Sequence, residues 1–279
     1  MQKDQLLTRR RALVAGAAAL GAAGAAGVLA TGTGDRAARP AVPATGAQAA
    51  RRPLKPSAYR LQPLTGYGPP GTVAGRTPVR GAPLLRLSGR GRIMVLTFDD
   101  GPDPRYTPDI LDTLARYEVR AMFFVCGEMA AGNRDLLVRM ADEGHVVGNH
   151  TWSHPLLTRL GRGRIRSEME RTSDVVETAC GERPEWFRAP YGAWNRAAFQ
   201  LGAELGMEPL AWTVDTLDWT TPGTRTIVDR VTDGAAPGVV VLSHDAGGDR
   251  SQSVRALRAY LPELLDSGYR ITVPRRQYA

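Results

Sequence analysis

From residue 92 onward, short runs of β-branched and aromatic residues alternate with longer stretches whose apolar positions recur every three or four residues. The short runs read as strands, at 93–97, 121–126, 145–149, 186–189, 210–214, 239–243 and 269–273. The longer stretches read as amphipathic helices. Thr107 is placed to cap one, with Pro108 at its first position and Ile110, Leu111 and Leu114 facing inward. Ile165, Met169, Thr172 and Val176 share one face of a longer helix that stops at Gly181; Val254, Leu257, Leu261 and Leu264 do the same before Gly268. Strands alternating with helices predict an α/β fold of parallel βα units, and about seven of them predict a barrel or an open sheet. No glycine-rich phosphate fingerprint follows the first strand, which argues against a nucleotide-binding sheet.

The N-terminal third lacks this periodicity. Thr8-Arg9-Arg10-Arg11-Ala12-Leu13 leads into an uncharged Ala/Gly-rich run that ends at Ala30. A basic start, a mildly apolar stretch and small residues at its end describe an export signal over residues 1–30, and the adjacent arginines favour the twin-arginine route. An uncleaved membrane anchor is the alternative, disfavoured because Ala and Gly contribute little transfer energy. Residues 31–91 are rich in Ala, Gly, Pro, Thr and Arg, and Gly-Pro-Pro-Gly at 68–71 breaks any regular element. They read as a basic, extended linker, a solvated spacer or a contact for anionic cell-wall polymers. The regularly patterned, folded unit is expected over 92–275.

Charge sharpens this division. The 279-residue chain has 36 lysines and arginines against 28 acidic residues, a net +8 that would normally suggest nucleic acid. Residues 1–30 are net +3, and residues 31–92 are net +10, with eleven basic residues against Asp35 alone. Residues 93–279 hold 21 basic and 26 acidic residues, net −5, so a nucleic-acid partner is not expected.

Ionisable residues gather at the ends of the predicted strands. Asp99 and Asp100 follow the first, His150 and His154 the third, Arg188 to Tyr191 the fourth, Asp215 to Trp219 the fifth, and His244 with Asp245 the sixth. In a parallel βα barrel those positions converge on one rim, where active sites form. Two histidines four apart, stacked on a helical turn, can share a metal with a carboxylate and leave positions open, as catalytic zinc sites do. The adjacent Asp99 and Asp100 strengthen this, because neighbouring buried carboxylates repel unless a cation intervenes.

Thr97-Phe98-Asp99-Asp100-Gly101-Pro102, His150-Thr-Trp-Ser-His154-Pro155, Arg188-Ala-Pro190-Tyr191-Gly192, Asp215-Thr-Leu-Asp218-Trp219 and Leu242-Ser-His244 resemble the five ordered motifs of the NodB-type polysaccharide deacetylases, carbohydrate esterase family 4. The resemblance implies a distorted (β/α) barrel. It implies that Asp100, His150 and His154 hold a divalent metal, usually Zn2+, with Co2+, Ni2+ or Mn2+ as alternatives. Asp99 would be the general base, oriented by Arg188. The Tyr191 N–H would stabilise the oxyanion, and His244, tuned by Asp218, would be the general acid. Trp219 and Leu242 would wall the acetyl pocket.

The resulting expectation is an exported, monomeric, metal-dependent hydrolase that removes N-acetyl groups from an acetylated polysaccharide. The alternatives are an O-acetyl xylan esterase and a non-catalytic carbohydrate-binding protein. His145 reads as structural, Asp215 as either a supporting contact or a strand-end cap, and Asp245 as a turn cap. Trp186, Trp194 and Trp212 read as packing, with sugar stacking open for Trp194. Cys126 and Cys180 fall at opposite ends of the barrel and are expected as free thiols.

Overall fold

The computed structural model describes residues 77–87 and 91–274. The export segment and most of the linker lie outside the described residues. The strands are β1 (Ile93–Asp99), β2 (Met122–Val125), β3 (Val146–Asn149), β4 (Trp186–Phe187), β5 (Glu208–Pro209), β6 (Val214–Asp215), β7 (Val239–His244) and β8 (Arg270–Ile271). The helices are α1 (Thr107–Arg116), α2 (Gly127–Gly132), α3 (Arg134–Asp142), α4 (Arg162–Cys180), α5 (Arg196–Glu204), α6 (Thr224–Asp233) and α7 (Ser251–Asp266). All pairings between these strands are parallel, in the order β5-β4-β3-β2-β1-β7-β6, with β8 added at the start of β1. This is the expected distorted barrel, a curled sheet of seven strands wrapped by helices.

Alternation along the central strands sets both the core and the site. Met94, Leu96 and Phe98 of β1 pack outward under the helices, with Phe98 stacked on Phe123 at 5.2 Å. Val95 faces the barrel interior with Met122, Phe124, Leu210 and Val240. Because side chains alternate, Thr97 and Asp99 continue that interior row. The β1–β7 register sets Asp99 opposite His244 and Thr97 opposite Leu242. A second cluster, including Ile165, Met169, Phe187 and Leu201, packs α4 and α5 beside β4. Helix α4 ends at Gly181, whose φ of 82° supplies the left-handed cap that glycine takes without strain.

Three local expectations change. The predicted strand 210–214 is mostly not a strand: β5 ends at Pro209 and β6 begins at Val214, and between them the Leu210 and Ala211 carbonyls accept from the Arg188 side chain. Thr107 lies inside the first turn of α1, and Tyr106 takes the cap position without a side-chain bond. The Thr107 hydroxyl instead accepts from Asp103 N at 2.8 Å and donates to Asp245. Residues 77–87, grouped by composition with the linker, are bonded to the open side of the sheet. Leu84 bridges Leu210, Arg86 bridges Val239, and Arg80 pairs with Glu208. Leu84 and Leu87 pack on the barrel interior, which explains why this short apolar run is ordered there. Both cysteines are free, Cys126 buried and Cys180 partly so. No helix among the described residues is long and apolar enough to cross a membrane.

Leu84 and Leu87 donate backbone N–H bonds to Pro209 and Gly238 at 2.9 and 3.0 Å. Replacing both by proline removes both donors, for an expected loss of about 2 kcal/mol at roughly 1 kcal/mol per bond. A thermal melt of the full chain should fall by about 4–8 °C; an unchanged midpoint would show that this segment does not brace the sheet.

Candidate active site

Every predicted site residue lies at the C-terminal end of a strand or in the loop that follows it. Asp99, at the end of β1, is 2% exposed, and its Oδ1 accepts from Arg188 Nη1 at 2.6 Å. Arg188 is fully buried. Its Nη1 also reaches Thr97 Oγ1 at 2.8 Å, while Nε and Nη2 donate to the Leu210 and Ala211 carbonyls at 3.0 Å each. The guanidinium lies 4.2 Å from the centre of the Phe124 ring. Burial pushes the Asp99 carboxyl above its ordinary range, opposed by the charges of Arg188 and His244. Burial likewise lowers Arg188, opposed by Asp99.

Asp100 turns away from β1 with φ 77°. Its Oδ1 stands 3.6 Å from His150 Nε2 and 3.2 Å from His154 Nε2, and is buried without a hydrogen-bond partner. One ligand atom from each of these three residues lies within 4.8 Å of the others. His150 Nδ1 sits 2.8 Å from the Arg188 carbonyl, which requires a proton on Nδ1 and leaves Nε2 as the ligand atom. Burial, then His154, pushes His150 down to about 3, so its ring stays neutral. A neutral imidazole and an orphaned carboxylate oxygen converging on one point fit a divalent cation. The two histidines are not stacked on a helical turn, however. Thr151 and His154 have φ of 69° and 55°, and the chain reverses between them. The rings meet through this reversal, with centroids 4.9 Å apart.

On the β7 side, His244 Nδ1 is 2.7 Å from Asp218 Oδ1. Asp218 Oδ2 accepts from His244 N at 2.9 Å and from Ser253 Oγ at 2.6 Å. Burial raises the Asp218 carboxyl, but the bonds and charge of His244 outweigh it and hold the group below its usual range. Burial lowers His244, yet Asp218, with help from Asp100 and Asp99, pushes it up to about 9. Tyr191 sits in the turn Pro190–Gly192 with φ 62°, and its ring meets His154 edge-on at 4.6 Å. Tyr191 and Trp219 are 58% and 54% exposed, while Leu242 is buried in the interior row two residues before His244.

The remaining candidates fall into structural positions. His145 Nδ1 accepts from Ala121 N at 3.1 Å. Asp215 Oδ1 accepts from Leu217 N at 2.8 Å, so it caps a turn. Trp194 packs between Phe187 and Phe199, and Trp186 lies in the interior cluster that Trp212 packs against. Asp245 is no simple turn cap. Its carboxylate is buried against Gly101 and accepts from Thr107 Oγ1 at 2.5 Å, and burial raises it to about 7.

Sequence reasoning passed over several supports. Ser253 bonds Asp218, and the buried Arg250 donates to the Ala246 and Gly247 carbonyls at 2.6 and 3.0 Å. Glu168 accepts from the Trp152 and Ser153 N–H groups. Its signal was present: a carboxylate three residues after Ile165 and four before Thr172, on the apolar face of α4.

A family model described as polysaccharide deacetylase matches residues 87–210. A chitooligosaccharide deacetylase of Bradyrhizobium is 40% identical over 192 residues, covering 64% of this chain and 88% of that protein. A peptidoglycan-N-acetylglucosamine deacetylase of Bacillus cereus is 40% identical over 181 residues, covering 64% of this chain and 84% of that protein. The crystal structure of the Bc1960 peptidoglycan N-acetylglucosamine deacetylase, in complex with 4-naphthalen-1-yl-N-oxidanyl-benzamide, superposes with a TM-score of 0.66 at 36% identity. It covers 68% of this chain and 90% of that one.

Removing one partner of a buried ion pair leaves the other charge uncompensated. Arg188→Ala should therefore cost about 3–5 kcal/mol in urea unfolding; a loss below about 1 kcal/mol would mean that the pair is not buried as described.

Proposed function

The chain belongs to the polysaccharide deacetylase family, hydrolases of carbon–nitrogen bonds outside peptides, and on that premise we propose that it removes N-acetyl groups from N-acetylglucosamine-type residues of a peptidoglycan- or chitin-like polymer. The observation that carries this reading is the convergence of three groups at one rim: Asp99 with Arg188, the Asp100/His150/His154 set, and His244 with Asp218.

Asp100, His150 and His154 would hold one divalent cation, in our proposal Zn2+. When bound, such an ion supplies Lewis acidity, bringing the pKa of a water to about 7 and polarising the acyl oxygen. Asp99 takes a proton from the attacking water, and Arg188 fixes its carboxylate and favours the ionised form. The left-handed turn at Tyr191 presents its backbone N–H to the oxyanion. Such a donor is worth about 3–4 kcal/mol in other enzymes. His244 donates an Nδ1–H hydrogen bond to Asp218 and offers Nε2–H to the departing amine. Trp219 and Leu242 flank the acetyl methyl group. The basic, Ala/Gly-rich start of the chain supports export, which would bring this site to cell-wall glycans.

Acetate release from peptidoglycan, chitin oligomers and acetylxylan tests the assignment. Release from N-acetyl substrates should stop on exhaustive chelation and return with Zn2+, and Asp99→Asn should lose about 10²–10⁴-fold in rate. Activity that survives complete metal removal would overturn the mechanism. Release from acetylxylan alone would instead make the chain an O-acetyl esterase.

The acid must be protonated to act. Since His244 holds its proton up to about 9, kcat should fall only as pH rises through that region. Asp218→Asn removes the main group holding the proton and should move the alkaline limb to lower pH; an unmoved limb would exclude His244 as the acid.

A further inference from the structure

We propose that Glu168 is a positioning residue for the metal centre, its buried carboxylate setting the chain reversal that carries His154 to Asp100. The inference rests on the reading of Asp100, His150 and His154 as metal ligands. Glu168 lies in the middle of α4, 2% exposed, on the same face as Ile165, Met169 and Thr172. A carboxylate there loses its hydration and must be repaid by hydrogen bonds. Its ion-pair partner Arg164, at 3.4 Å, has a side chain 64% exposed to solvent and screens it weakly.

The bonds come from the turn between the two histidines. Glu168 Oε2 accepts from Trp152 N at 3.1 Å and Ser153 N at 2.8 Å, and the Ser153 hydroxyl lies 3.1 Å from both carboxylate oxygens. From the other side, Gly127 N and Glu128 N donate to the Thr151 and Trp152 carbonyls at 2.9 and 3.1 Å. Asn149 Oδ1 accepts from Thr151 N at 2.8 Å. The turn needs such anchors, because Thr151 and His154 both hold left-handed backbone that L-residues enter at a cost. Two successive N–H groups aimed at one carboxylate define the direction of the reversal. At its far end His154 Nε2 arrives 3.2 Å from Asp100 Oδ1.

The test is Zn2+ affinity, measured on the full chain by competition with a fluorescent chelator, beside thermal melting of the metal-free protein. Glu168→Met keeps roughly the size but removes both acceptor oxygens, so the Trp152 and Ser153 N–H groups lose their partner. We expect its Zn2+ dissociation constant to rise about 10–100-fold, with kcat largely restored at saturating Zn2+ and the metal-free melt within a few degrees of wild type. Tight binding by wild type, lost in His154→Ala and unchanged in Glu168→Met, overturns the inference alone. Wild type binding no better than His154→Ala overturns the metal-centre reading, and the inference with it. Should Glu168→Met fail to fold, Ser153→Ala removes one donor to the same carboxylate. Zn2+ binding weakened by a few-fold there supports the role, and wild-type binding overturns it.

Discussion

The site depends on one buried ion pair. Arg188 and Asp99 meet at 2.6 Å where neither is reached by water, an arrangement that costs more than it returns unless the remaining donors are used. Here they are used. Thr97 and the Leu210 and Ala211 carbonyls accept from Arg188, and Phe124 lies under the guanidinium. The same bonds shape the sheet, because carbonyls turned toward Arg188 are withdrawn from strand pairing between β5 and β6. The Arg188 carbonyl in turn accepts a hydrogen bond from His150 Nδ1–H, so one residue orients both the proposed base and a proposed metal ligand.

Two carboxylates on facing sides of the rim are driven apart by their surroundings. Asp99 is pushed up by burial, with the charges of Arg188 and His244 opposing. Asp218 is held low by His244 and Ser253, and it keeps the histidine charged. This separation fits the proposed split between an Asp99 base and a His244 acid. The register of β1 against β7 makes the two roles adjacent, since it sets Asp99 opposite His244.

Much of this was legible in the sequence because strand ends and motif residues are local. The stops of short apolar runs place Asp99, Asp100, His150, His154, Arg188, Asp218 and His244 near one rim, and the resemblance to the deacetylase motifs is what singles them out from neighbours such as Asp215 and Asp245. The βα alternation likewise announces parallel strands, and the resemblance selects a barrel over an open sheet. What was not legible depends on contacts between distant segments. Spacing alone suggests a helical turn for His150 and His154, but Glu168, on another element, supports a reversal instead. The 210–214 run looks like one strand until Arg188 takes its carbonyls. Residues 77–87 look like linker because their partners, Pro209 and Gly238, lie more than a hundred positions away. Asp245 reads as a turn cap, yet it is buried against Gly101 and bonded to Thr107 across the barrel rim.

The central claim is that Arg188 keeps a dry Asp99 ionised for proton abstraction. The acidic limb of kcat/KM for acetate release reports the base in the free enzyme, and comparing wild type with Arg188→Gln tests the claim most directly. Losing a cation in contact with a carboxylate raises the carboxylate pKa, so the limb should move to higher pH by about one to three units. An acidic limb at the same pH in both proteins would contradict the account.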